Sequence, residues 1–145
     1  MEHVRYHFNS FDRVRNETAP YVNERIDREI EGNIAHYSQL DDYAITKRIA
    51  ELDHEWDIDR ALMANFALLG GAAFTAGLTK NKNWFYLLGA QFVFLMLHAV
   101  KGWCPPVTVM RRMGFRTKTE IESEKATLLK ILESRSPVKE TRQTG

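Results

Sequence analysis

Ala61-Leu-Met-Ala-Asn-Phe-Ala-Leu-Leu-Gly-Gly-Ala-Ala-Phe-Thr-Ala-Gly-Leu-Thr79 and Trp84-Phe-Tyr-Leu-Leu-Gly-Ala-Gln-Phe-Val-Phe-Leu-Met-Leu-His-Ala-Val100, joined by Lys80-Asn-Lys-Asn83, decide the fold. Arg60 and Lys80 bracket an uncharged run of about 19 residues, and Lys82 and Lys101 one of about 18, each the length of a membrane span. At about 1.5 Å per helical residue, either run covers close to 30 Å of hydrocarbon. A helix is the one single segment that crosses with its backbone groups satisfied internally. The first run is rich in Ala and Gly and reads as marginally hydrophobic; the second reads as much stronger. A buried helix of a soluble bundle normally carries a charged stripe, and neither run does. The expectation is therefore an all-α protein built on a two-span transmembrane helical hairpin over 61–103.

Aromatic and basic residues set the boundaries. Trp84 and Trp103 flank the second run, and with Trp56 they are the expected occupants of the headgroup belts. Lys47, Arg48 and Arg60 precede the hairpin, while Lys101, Arg111, Arg112, Arg116 and Lys118 follow it. The link has only Lys80 and Lys82. Basic residues stay on the cytoplasmic side, so both termini are expected in the cytoplasm and the link outside.

Residues 1–17 read as a flexible or loosely docked arm. The N-terminus lacks the apolar run of a signal peptide. Cytoplasmic amphipathic helices follow over 18–60. Thr18-Ala-Pro20 gives a helix start with a hydroxyl cap, and Val22, Ile26, Ile30, Ile34 and Tyr37 form its apolar stripe. Asp41 or Asp42 starts another helix, with Ile45, Ile49, Leu52 and Trp56 on one face. Mixed charge on the polar faces favours two helices packed on each other over two lying on lipid.

Beyond the hairpin, 104–134 reads as an interfacial helix and a C-terminal helix. Pro105 and Pro106 break the second span. Arg111 and Arg112 are expected at lipid phosphates, and Gly114 ends the short helix. Thr117-x-x-Glu120 is a capping-box pattern for the last helix, with Ile121, Leu128 and Leu132 on one face. The polar tail, 135–145, reads as disordered.

A net charge of +1 with interspersed signs leaves no nucleic-acid footprint. The single cysteine excludes an internal disulfide. No catalytic site, metal site or cofactor follows from these residues. Cys104 is the one candidate nucleophile, its thiol lowered if it heads the Pro105-Pro106 helix and raised if it ends the preceding span. Asn65, Gln91 and His98 are the intramembrane polar residues, and such residues are functional candidates. Antiparallel packing puts Asn65 level with His98 and predicts a direct or water-bridged contact between them. Gly70, Gly71, Ala72, Ala73, Ala76 and Gly77 give the first span a small-residue surface for close helix approach.

Glu55-Trp-Asp-Ile-Asp-Arg60, the hairpin, Gly102-Trp-Cys-Pro-Pro106 and Arg111-Arg-Met-Gly-Phe-Arg-Thr117 together resemble the YgaP-like transmembrane domain over about residues 18–121, with Gly-Trp-Cys-Pro-Pro the most specific element. The resemblance implies a small bacterial inner-membrane hairpin, here without the rhodanese domain that accompanies it in some sulfurtransferases. It carries over location and topology rather than chemistry. The expected role is a scaffold or accessory subunit, partnered by the bilayer and by other membrane subunits or further copies of itself. The alternatives are sulfur or redox handling through Cys104, and an oligomeric channel lined by Gln91 and His98.

Overall fold

The computed structural model describes residues 12–136. They form α1 (Arg13–Asn16), α2 (Pro20–Tyr37), α3 (Asp42–His54), α4 (Ile58–Thr79), α5 (Trp84–Lys101), α6 (Pro105–Arg112) and α7 (Lys118–Arg135), with no strand among them. Most of the expected arm and tail, 1–11 and 137–145, lies outside the described residues. Residues 12–17 are not a loose arm. Asp12 caps α1 by accepting from the Arg15 amide at 2.9 Å, and Asp12 and Val14 are both buried.

Two helices are long and apolar enough to cross a membrane. The most apolar windows of the α3–α4 segment and of α5 have mean hydropathies of 1.6 and 1.3. On this scale the two windows are close in strength, with Lys101 included in the second. Gln91, His98 and Lys101 offset the aliphatic and aromatic residues around them. α4 also starts three residues before the apolar run. Asp57 is its N-cap, accepting from the Arg60 amide at 2.8 Å, so Asp59 and Arg60 belong to its first turn.

α4 and α5 pack antiparallel through small residues. A Cβ on Gly77 would lie 2.9 Å from the Phe85 ring, near the link, and one on Gly70 would lie 3.3 Å from Gln91 Oε1, further in. At the other end His98 Nε2 meets Asp59 Oδ1 at 2.8 Å. Here the structure departs from the expected Asn65–His98 pairing, because the earlier start of α4 puts Asp59 level with His98.

α5 ends at Gly102, whose φ of +75° is the left-handed conformation that glycine adopts most freely. The site allows no side chain either, since a Cβ there would sit 2.5 Å from Arg13 Cβ. α6 starts directly at Pro105 and ends in a Schellman motif: Gly114 (φ +98°) donates to Arg111 O and Phe115 donates to Met110 O. Phe115 packs against the cluster containing Met110, as that motif favours.

The N-terminal helices do not form a self-contained pair. α2 and α3 touch each other sparsely, and each packs chiefly on α7. Ile45 and Leu52 of α3 meet Ile121 and Leu128 of α7, while Val22, Ile26 and Ile30 form the buried stripe of α2. Trp56 is not on the α3 face either. α3 stops at His54 and Glu55 is extended, leaving Trp56 half-exposed in the link, with the Arg60 guanidinium 4.8 Å from its ring centroid. A second cluster lies under the ends of α4 and α5, where Val14, Ile58, Ala61, Leu62, Cys104, Val107 and Met110 are buried together.

Candidate functional site

The polar chemistry of the molecule gathers where α7 meets the base of α4 and α5. Thr117 starts α7 with a complete capping box, its hydroxyl taking the Glu120 amide and Glu120 taking the Thr117 amide. The Glu120 carboxylate does more than cap. It accepts from Arg111 at 2.6 and 2.8 Å and from Arg15 at 2.7 Å, and it is fully buried. Burial alone would push this carboxyl up, but Arg111, the Thr117 amide and Arg15 hold it below the ordinary carboxylate range.

Arg111 is the largest fully buried side chain among the described residues. Beyond Glu120 it donates to Asn23 Oδ1 at 2.8 Å, to the Phe115 carbonyl at 3.0 Å and to Thr18 Oγ1 at 3.2 Å. Sequence placed this arginine at lipid phosphates; the structure turns it inward because a buried carboxylate and three neutral acceptors converge on it. Thr18 is accordingly not the cap of α2, which begins from Ala19 without a side-chain cap. Arg112, one residue on, is exposed.

One turn along α7, Glu124 repeats the arrangement. It is fully buried and paired with Arg116 and with Arg48, the latter at 2.9 Å. Arg116 also pairs with Glu55. Burial opposes the charge on Arg116, yet Glu55 and Glu124 outweigh it and raise its pKa further above the ordinary arginine value. Arg15 behaves alike: burial disfavours its charge, and Asp27 at 2.5 Å with Glu120 outweighs that. α7 therefore receives arginines from α1, α3, α6 and the α6–α7 link. A backbone bond from the Ile58 amide to the Arg116 carbonyl, 2.9 Å, fastens α4 to the same link. Arg13 of α1 donates to the Ala99 carbonyl at 2.8 Å, serving the open end of α5.

The other expected residues divide. Gln91 is buried against Gly70, with its Oε1 unpaired, so it faces α4 within its own chain rather than a lumen. His98 is largely buried and holds Asp59 through Nε2, while its Nδ1 has no partner. Asn65 is only partly buried and does not join them. Trp84 and Trp103 are partly exposed beside the two ends of α5. Cys104 is fully buried, and burial raises its thiol despite an opposing hydrogen bond from the Val107 amide. A raised, enclosed thiol is a poor nucleophile, which counts against sulfur chemistry there. Among the described residues no group of three or more His, Cys, Asp or Glu side chains is placed to hold a metal ion.

Sequence reasoning missed the two α7 glutamates as buried partners. A signal was present: Glu120, Glu124, Leu128 and Leu132 recur every four residues, so the stripe containing Leu128 extends back through both acids. Comparison with protein families, curated proteins and solved structures finds no match to this chain.

Proposed function

We propose that this chain is an integral protein of the bacterial inner membrane, in which α4 and α5 form the transmembrane hairpin and the remaining helices form a cytoplasmic layer that serves as a scaffold or accessory subunit. The observation that carries this reading is the outward face of the long apolar helices. Leu68, Leu78, Phe92, Met96 and Val100 are all exposed, and only 22% and 6% of the two apolar windows is buried. A soluble core helix is buried on most sides, whereas a span presents this face to lipid. The likeness to the YgaP-like transmembrane domain points to the same location.

The scaffold role follows from how the layer is held. Hinged domains meet through small polar interfaces, but here the Ile58 amide bonds the Arg116 carbonyl and Arg13 bonds the Ala99 carbonyl, tying the helical layer to the hairpin base, while buried ion pairs hold the layer itself together. That presents a fixed surface to a partner at one membrane face.

The test combines extraction, labelling and assembly. Alkaline carbonate should leave the protein in the membrane. In a Cys104→Ala background, Asn81→Cys should react with an impermeant maleimide on spheroplasts, and Glu133→Cys only after permeabilisation. Release by carbonate refutes the spans, and the reverse labelling refutes the orientation. Crosslinking in intact membranes should give reproducible higher-mass species; an uncrosslinked monomer throughout refutes the scaffold role.

A further inference from the structure

Between the α1–α2 turn and α6 lies a cavity of about 280 Å3. Its depth is set by its floor. Val14 and Val107 line it and also belong to the cluster with Ile58, Ala61 and Leu62, the first residues of α4. Trp103, two residues past the end of α5, forms part of its wall and is partly exposed. On the membrane reading, on which this inference rests, the cavity therefore lies at headgroup level beside the hairpin base.

Its polar lining has two signs. Arg112 and Glu17 both line it, both are exposed, and neither makes an ion pair among the described residues. A phosphate oxygen suits Arg112. A primary amine suits Glu17, and the glycerol backbone suits the valines and Trp103. We propose that this cavity is a headgroup site for an ethanolamine phospholipid, with the phosphate on the Arg112 side and the amine on Glu17. A choline headgroup has the same charges but no N–H, so it forms no hydrogen bond with the carboxylate. A glycerol headgroup has no cation at all.

The experiment uses the full chain purified in mild detergent after carbonate-washed membranes have shown it to be integral. Native mass spectrometry measures retention of dioleoyl phosphatidylethanolamine, phosphatidylcholine and phosphatidylglycerol added at equal amounts. Ethanolamine lipid should be retained about tenfold better than choline lipid, the scale of one charge-assisted hydrogen bond. Glu17→Gln should abolish that preference while keeping both lipids bound. Arg112→Gln should lower retention of all three about tenfold. Thr108→Trp, which fills the cavity, should remove the bound lipid, with far-UV circular dichroism unchanged. Equal retention of the three lipids, or a preference that survives Glu17→Gln and Thr108→Trp, overturns the site but leaves the membrane reading intact. Release by carbonate overturns both. Retention of water-soluble glycerophosphoethanolamine as strong as that of the lipid would also overturn the assignment, by making the ligand a soluble one.

Discussion

Replacing Glu120 with Gln tests the organisation of the hairpin base most directly. The carboxylate receives three guanidinium bonds of 2.6 to 2.8 Å and the Thr117 amide at 2.8 Å. It is 0% exposed and Arg111 is 1% exposed, so neither charge is screened by water. Removing one partner of such a pair leaves a buried charge unmatched and destabilises by about 3–5 kcal/mol. The expected loss lies near the lower end, about 3 kcal/mol, because Arg15 keeps Asp27 and Arg111 keeps three neutral acceptors. Glutamine also keeps an oxygen for the Thr117 amide. The control is Glu122→Gln, whose 3.8 Å contact with Lys118 is mostly exposed and should matter by less than about 0.5 kcal/mol. Urea unfolding in detergent, read by far-UV circular dichroism with hydrogen exchange at the α7 amides, measures both. The double variant Arg111→Met with Glu120→Leu should recover part of the loss, since it leaves no unmatched charge in that pair. A loss for Glu120→Gln no larger than for Glu122→Gln, or a double variant as damaged as the two singles summed, would refute the buried-pair argument.

The same carboxylate sets an acid limit. Its folded pKa lies below the ordinary value, so its contribution is complete above about pH 4.3, the unfolded glutamate value, and is lost as pH falls through the folded pKa. Unfolding free energy measured against pH should therefore drop on the acid side, and Glu120→Gln should flatten that slope. Gly77→Leu should push Phe85 off α4 and destabilise the helix pair by about 1–3 kcal/mol, measured by SDS titration; an unchanged transition would mean the two helices do not meet as described. A double-mutant cycle of Asp59→Ala and His98→Ala should give a coupling of about 0.5–1.5 kcal/mol, and Asn65→Ala with His98→Ala additivity within about 0.5 kcal/mol. The reverse result would restore the Asn65 pairing.

Local chemistry was legible in the sequence wherever a single segment decides it. The two apolar lengths, the cap at Asp41 or Asp42, the break at Pro105 and Pro106, the Gly114 stop and the Thr117–Glu120 box all depend on residues within a few positions. The charged core was not legible in that way. Arg15 meets Glu120 across 105 residues and Arg48 meets Glu124 across 76, and a lone arginine in a sequence reads as a surface group. Arg111 shows the difference sharply. Read beside Arg112 it is half of a basic pair suited to lipid, but α6 places consecutive residues about 100° apart, so one faces α7 and the other faces out. The partner of His98 was misassigned for a related reason. Asn65 was set level with His98 on an apolar run that begins at Ala61, whereas the helix begins at Ile58 and carries Asp59 with it.

These pairings also bear on orientation. Of the eight basic residues counted outside the link, Arg48, Arg111 and Arg116 are matched by buried glutamates in the folded protein. A count of net charge at the folded surface would therefore narrow the asymmetry against Lys80 and Lys82. The rule, however, acts on the chain during insertion, and acidic residues contribute little to it. If the hairpin inserts before α7 docks, Arg48, Arg111 and Arg116 still present their full charge at that stage. On the proposed topology the same arginines serve twice: unpaired, they bias their side of the hairpin towards the cytoplasm, and once α7 docks, they become the buried contacts that hold it to α3, α6 and the α6–α7 link. This order makes a distinction that can be measured. Removing the acids, in Glu120→Gln with Glu124→Gln, should loosen the layer while maleimide labelling still reports the same topology. Removing the bases, in Arg111→Gln with Arg116→Gln, should loosen the layer and also weaken the bias in orientation.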